Sequence, residues 1–377
     1  MDAAAVLALG GLACGIAAGA AAQYGRLCTF AAIEDALIGG DLRRARAWIL
    51  AIAVAVAATQ ALAAMGLLDL AAAPYGGKAL AVGGAVLGGL LFGLGMSLVG
   101  TCAFGLLVRA GAGDLRALLM VGVVGVSAFA ATGGLLSQIR LTLAAVLVID
   151  MSAVGGASFA GLARTLGGPM LQAIVSLVLV AVAAGAALSC PRIRRKLRLL
   201  AASVVIGLAV AGGWLVTGTL ADPFSAHRTE SLTFVAPVGR ALLATMGQTL
   251  DGAQFAVLSV IGVVAGSFLV AFARNEHRWE AFDDQREMRR HIVGAGLMGF
   301  GGVLAQGCTI GQGMSAASTL ALSAPLALAG MVLGARIGLL WLLEGGPKIF
   351  HRTMFPSAGA PPKPPAADPG PRGRAWL

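Results

Sequence analysis

Long stretches of this 377-residue chain carry no charged side chain, among them Ala47–Leu68, Ala79–Val108, Ala117–Ile139, Thr165–Pro191, Leu199–Ala221, Gly252–Ala273 and Ile292–Ala335. About 20 apolar residues cross a bilayer as a helix, so every run is long enough to span. Composition points the same way. Only 12% of residues are charged and the mean hydropathy is +0.88, whereas a soluble domain carries about 25% charged residues. The chain reads as an all-α polytopic membrane protein.

The charges sort by position. Eighteen of the 27 Lys and Arg fall in four clusters, Arg43–Arg46, Arg192–Arg198, Arg274–Arg290 and the tail from Lys348. Clusters that alternate with spans are cytoplasmic loops under the positive-inside rule, which accounts for the net charge of +10 without a nucleic-acid partner. Met1-Asp2 supplies no basic start for a cleaved signal, so Ala3–Gly25 reads as a first span. With all clusters inside, the parity predicts about nine transmembrane helices plus short re-entrant helices, N-terminus outside and C-terminus cytoplasmic. That count requires Leu141–Ala163, interrupted by Asp150, not to cross. It also requires Val238–Leu250 to lie at the surface. The Arg274–Arg290 segment reads as a solvated helix. The tail is rich in proline and expected to be disordered.

An internal repeat is the most informative signal. At a constant offset of 206 residues, Gly88, Gly93, Gly95, Leu98, Cys102 and Gly105 match Gly294, Gly299, Gly301, Leu304, Cys308 and Gly311. By parity the first copy enters from outside and the second from inside, the arrangement of inverted-repeat transporters. The expected division is a first half, 1–165, a second half, 166–346, and a tail, 347–377. Glycines at such spacing let helices pack closely in lipid.

The cysteines fall where spans stop. Ile292–Ala335 is over 60 Å long as one helix at about 1.5 Å per residue, so it must break, and Gln306–Gly313 (QGCTIGQG) is the place. Gly100-Thr101-Cys102 ends the other long run, and Gly25–Phe30 (GRLCTF) carries Cys28 just past the first span. Each cysteine has a neighbouring hydroxyl: Thr29, Thr101 and Thr309. Arg26 and Arg109 lie within one or two helical turns and favour an anion and the thiolate. Non-helical backbone at membrane depth is tolerated only inside protein or along a polar cavity, and a helix N-terminus there suits an anion. Cys14 and Cys190 read as packing. Spacing supports neither a disulfide framework nor a zinc site, and no cofactor or metal is expected. Asp150 is open between a coupling site and the end of a half-span.

At these blocks the chain resembles the YeeE/YedE family of bacterial thiosulfate transporters. The resemblance rests on GRLCTF at Cys28, GTCAFG at Cys102 and QGCTIGQG at Cys308. It implies an inner-membrane permease of two pseudo-symmetric halves, in which thiosulfate passes three cysteines along a narrow path by successive S–H hydrogen bonds. Carried over, the path residues are Cys28, Cys102 and Cys308, with Cys102 central. Thr29, Thr101, Thr309, Arg26, Arg109, Gly105, Gly307 and Gly311 are expected beside them. Membrane lipid is an expected partner. Some members also work with a small cytoplasmic sulfur-acceptor protein bearing a Cys-Pro-x-Pro motif. Cys190-Pro191-Arg192-Ile193 lacks the second proline. Two alternatives stand beside thiosulfate uptake. One is transport of another sulfur or selenium species or small anion; the other is a membrane sulfurtransferase holding a persulfide on one of these cysteines.

Overall fold

In a computed structural model the apolar runs fold as helices, described over residues 3–70, 73–77, 79–152, 155–220, 229–247, 254–282 and 284–344. The first part comprises α1 (Ala3–Gly25), α2 (Thr29–Leu37), α3 (Arg43–Ala64), α4 (Val82–Val99), α5 (Ala103–Gly111) and α6 (Leu115–Thr132). A connecting region follows, with α7 (Ser137–Ala145), α8 (Phe159–Leu188) and α9 (Pro191–Arg194). The last part holds α10 (Leu197–Thr219), α11 (Val235–Thr245), α12 (Gln254–Ala273), α13 (Gln285–Leu304), a π-helical turn (Gly311–Ala316) and α14 (Ser323–Glu344). The tail from residue 347 lies outside the described residues.

Eight spans are long and apolar enough to cross a membrane, with α1–α2 and α4–α5 each counted as one. The chain is an all-α polytopic membrane protein. The ninth expected crossing is α13, whose first turns carry Arg286, Glu287, Arg289 and Arg290. Its apolar second half packs against both α4 and α6.

The two parts are related by approximate two-fold symmetry. The helix α4 packs on α14 as α13 packs on α6, α1 on α12 as α10 on α3, and α2 on α14 as α11 on α6. Equivalent helices meet antiparallel. A Cβ at Gly88 would lie 2.7 Å from the Gly301 carbonyl, and one at Gly95 2.5 Å from that of Gly294. Glycine at these matched positions allows backbone-to-backbone contact, the packing that holds helices together where lipid removes the hydrophobic drive. Along the parallel α1/α12 pair, Gly11, Gly15 and Gly19 meet the carbonyls of Phe255, Ser259 and Val263 in the same way.

Three expectations are settled by local structure. Leu141–Ala163 does not cross: α7 is nine residues long, and the strand β2 (Val148–Asp150) pairs antiparallel with β1 (Ala79–Ala81). Asp150 is therefore an exposed strand residue whose carboxylate accepts from the Ser152 N–H at 2.8 Å. The Val238–Leu250 segment is buried only at its start: residues 240–247 are exposed or half-buried, and 248–250 lie outside the described residues. Val235, Pro237, Val238 and Gly239 are buried as α11 packs against α6, α12 and α13. With 11 residues α11 is too short to span, and it occupies the place equivalent to α2. Nor is Arg274–Arg290 one helix. Helix α13 starts only where Asp284 caps the Arg286 N–H at 3.0 Å. Before it, the backbone of Arg278 and Glu280 is tied to Ala112, Gly113 and Leu115.

Candidate functional site

Both long helices end in the same manner. Gly100 after α4 and Gln306 after α13 adopt left-handed φ of +80° and +60°, the conformation that commonly terminates a helix. Two residues later Cys102 and Cys308 begin the next turn of structure. The Gly105 N–H donates to the Cys102 Sγ at 3.4 Å, and the Gly311 N–H to the Cys308 Sγ at 3.5 Å. Each thiol thus caps free amides at a helical start, as oxygen side chains do in water-soluble helices. Glycine is needed here for space. A Cβ at Gly105 would stand 2.1 Å from the Thr101 Oγ1, and one at Gly311 2.6 Å from the Thr233 Oγ1. Gly307 leads directly into Cys308, and its Cβ would meet the Gln312 backbone at 3.0 Å.

The third cysteine breaks the symmetry. Position 234, equivalent to Cys28 at the 206-residue offset, is a buried phenylalanine stacked on Phe104 with ring centroids 5.1 Å apart. Cys28 precedes α2, makes no capping bond, and meets the other half of its own repeat. Its Sγ lies 3.4 Å from the Thr101 Oγ1, while the Cys102 thiol donates to the Thr29 Oγ1 at 3.9 Å. Two adjacent Cys/Thr pairs are thereby crossed. From the second half, the buried Thr309 hydroxyl stands beside the Cys102 thiol and has no conventional hydrogen-bond partner among the described residues. The three cysteine blocks converge although 280 residues separate the outermost.

A cavity of about 470 Å3 reaches this cluster. Cys28, Gly100, Thr101 and Gly105 line its inner end; Arg26, Arg44, Arg109 and Arg278 face Asp114, Glu276 and Glu280 towards its mouth. Cys28 is half-buried, whereas Cys102 and Cys308 are fully buried. Arg26 is at the mouth, bonded to Glu276 at 3.2 Å, and Arg109 is bonded to Asp114 at 2.6 Å. The two arginines expected beside the cysteines are thus held by acids at the cavity wall rather than by the thiols. Neither Asp114 nor Glu276 was read from the sequence as a cavity residue: Asp114 stands five residues beyond Arg109, whereas nothing local ties Glu276 to Arg26. Reading the sequence also missed Tyr75, which packs edge-on against Trp214 (centroids 6.3 Å apart) with its hydroxyl near Gly311. It missed Gln312 as well, a fully buried side chain that donates to the Ala305 carbonyl and accepts from Ser323. Cys14 and Cys190 lie apart from the cluster, and Cys14 packs near Gly212 where α1 crosses α10. No group of metal-binding side chains occurs among the described residues.

An inverted pair of helical repeats, with broken helices meeting at its centre, defines a membrane transport protein. Residues 24–337 match the family described as sulphur transport, and the chain belongs to that family. Among similar proteins are two named thiosulfate transporter TsuA. The one from Escherichia coli (strain K12) is 26% identical over 343 residues, covering 86% of this chain and 92% of that protein. The one from Spirochaeta thermophila is 28% identical over 334 residues, covering 86% and 96%.

Proposed function

We propose that this protein is an inner-membrane permease for thiosulfate uptake, with the anion passing from Cys308 to Cys102 to Cys28. The observation that carries the reading is the crossed pairing of Cys28 with Thr101 and Cys102 with Thr29 at the inner end of the cavity. Two relatives named thiosulfate transporters support the substrate. Thiosulfate has a soft terminal sulfur and a dianionic oxygen end. A thiol is a weak donor, so it holds that sulfur loosely enough to pass it on, as conduction between neighbouring sites requires. The Cys28 and Cys102 thiols bond the Thr101 and Thr29 hydroxyls; the anion replaces those bonds and offers an acceptor to the Thr309 hydroxyl, so that buried polar groups keep partners as it passes. Thr309 and the amide-rich starts after Cys102 and Cys308 serve the oxygen end.

Orientation follows from charge. The cavity mouth is lined by arginines of the basic loops and opens to the cytoplasm, which makes Cys28 the exit and Cys308 the outer station. The symmetric parts, α1–α6 of the first half and α10–α14 of the second, act as the two walls of one path. A small cytoplasmic acceptor of the sulfur is a compatible partner at this mouth. The test is uptake of labelled thiosulfate into proteoliposomes, with sulfate, sulfite and selenite as competitors. Saturable uptake that sulfate, sulfite and selenite at equal concentration leave largely intact supports the reading. Equal inhibition by sulfate would make the chain a general anion permease.

A further inference from the structure

A second crevice lies beside the cavity mouth, with a volume of about 850 Å3. Its walls carry Arg43, Arg44, Arg195, Lys196, Arg198 and Arg274, against only two acids, Asp35 and Asp41. Those acids are engaged: Arg44 bonds Asp35 at 2.8 Å, and Arg43 bonds Asp41 in a tight pair. Arg274 pairs with Glu276 at 3.3 Å. Arg195, Lys196 and Arg198 are exposed, and none is ion-paired with an acid among the described residues. Three cations without an ion pair among the described residues therefore converge on one recess, Lys196 meeting Asp41 only at longer range.

The recess sits at the edge of the lipid-facing surface. Leu197, between the cations, is 74% exposed, and Ile38 and Leu42, close to Asp41 and Arg43 in the chain, are also exposed. Tyr24, at the end of α1, lies between the guanidinium groups of Arg198 and Arg274, at 5.7 and 5.3 Å from its ring centroid. An aromatic residue at this level marks the membrane–water boundary. A cationic pocket between helix ends on the cytoplasmic side, open laterally to exposed apolar side chains, matches the two ends of one ligand: a phosphate headgroup and its acyl chains.

We propose that this crevice is a binding site for an anionic phospholipid of the cytoplasmic leaflet, its phosphate held by Arg195, Lys196 and Arg198. The site is separate from the cysteine path, and binding there does not depend on what is transported.

Native mass spectrometry of the full-length detergent-solubilised protein tests it, with phosphatidylglycerol and phosphatidylcholine added in parallel. Phosphatidylglycerol is expected to bind more tightly than phosphatidylcholine. The triple variant Arg195→Ala, Lys196→Ala, Arg198→Ala should weaken phosphatidylglycerol binding by about tenfold or more. The variant Arg286→Ala, Arg289→Ala, Arg290→Ala removes equal charge from exposed positions on α13 outside the crevice and should leave it unchanged. Equal loss in both variants would reduce the effect to net charge and overturn the site. So would unchanged binding in the first variant. Inorganic phosphate at millimolar concentration distinguishes the source of the phosphate group. If it raises the thermal unfolding midpoint as much as phosphatidylglycerol does, the crevice is a soluble-anion site and the lipid assignment fails.

Discussion

The Cys28 thiol and the Thr101 hydroxyl stand 3.4 Å apart, joining two segments 73 residues apart in the chain. The same separation joins Thr29 to Cys102. Cys28 and Cys102 are therefore each partnered by the threonine that neighbours the other, and the pair closes the inner end of the arginine-lined cavity. Replacing Thr101 by Val keeps its shape and removes the hydroxyl. A lost hydrogen bond of this kind is worth about 0.5–1.5 kcal/mol, or roughly three- to tenfold in rate. Thiosulfate uptake by Thr101→Val should fall by about that factor, and Thr101→Ser should restore most of it. Undiminished uptake in Thr101→Val would remove the hydroxyl from the path.

The cavity makes the three cysteines unequal to a reagent in water. Cys28 lines it, while Cys102 and Cys308 are fully buried. In variants retaining one cysteine each, a charged methanethiosulfonate applied from the cytoplasmic side should modify Cys28 fastest. Faster reaction at Cys308 from that side would invert the proposed order of stations.

Packing at matched glycines sets the stability of the frame. A Cβ at Gly93 would lie 2.1 Å from the Met331 carbonyl, and one at Gly299 2.6 Å from that of Val124. Overpacking of this kind costs typically 1–3 kcal/mol or more, so Gly93→Leu and Gly299→Leu should lower the yield of monodisperse protein on size-exclusion chromatography. Gly122 has no atom within 4 Å of its Cβ position. Gly122→Ala should be neutral or slightly stabilising, because alanine favours the helix by about 1 kcal/mol. A variant at Gly93 as well behaved as Gly122→Ala would contradict the close-contact account.

Much of this arrangement was legible because it is written in short range. Charge-free runs locate the spans, and the register of Gly88–Gly105 on Gly294–Gly311 locates the breaks that deliver Cys102 and Cys308. What stayed hidden depends on packing between distant segments. The crossed Cys/Thr pairs form because the start of α2 meets the turn between α4 and α5, a contact with no local signal. Helix α11 escaped for another reason: 11 residues are too few to announce a buried element, and its role shows only when it is placed opposite α2. The pairing of Arg26 with Glu276 bridges 250 residues, so an arginine beside a cysteine in sequence turned out to be a wall residue in space.

Cys102 is where the account is most exposed, since it is fully buried, caps α5 through Gly105 and contacts Thr29 and Thr309. Losing one small buried side chain rarely unfolds a protein of this size. The decisive measurement is initial-rate uptake of labelled thiosulfate into proteoliposomes containing wild type, Cys102→Ala, Cys14→Ala or Cys190→Ala, each verified as folded and equally reconstituted. The account predicts uptake abolished in Cys102→Ala and close to wild type in the other two. Wild-type uptake by folded Cys102→Ala would contradict it and leave the thiols as filler in a path built from other groups.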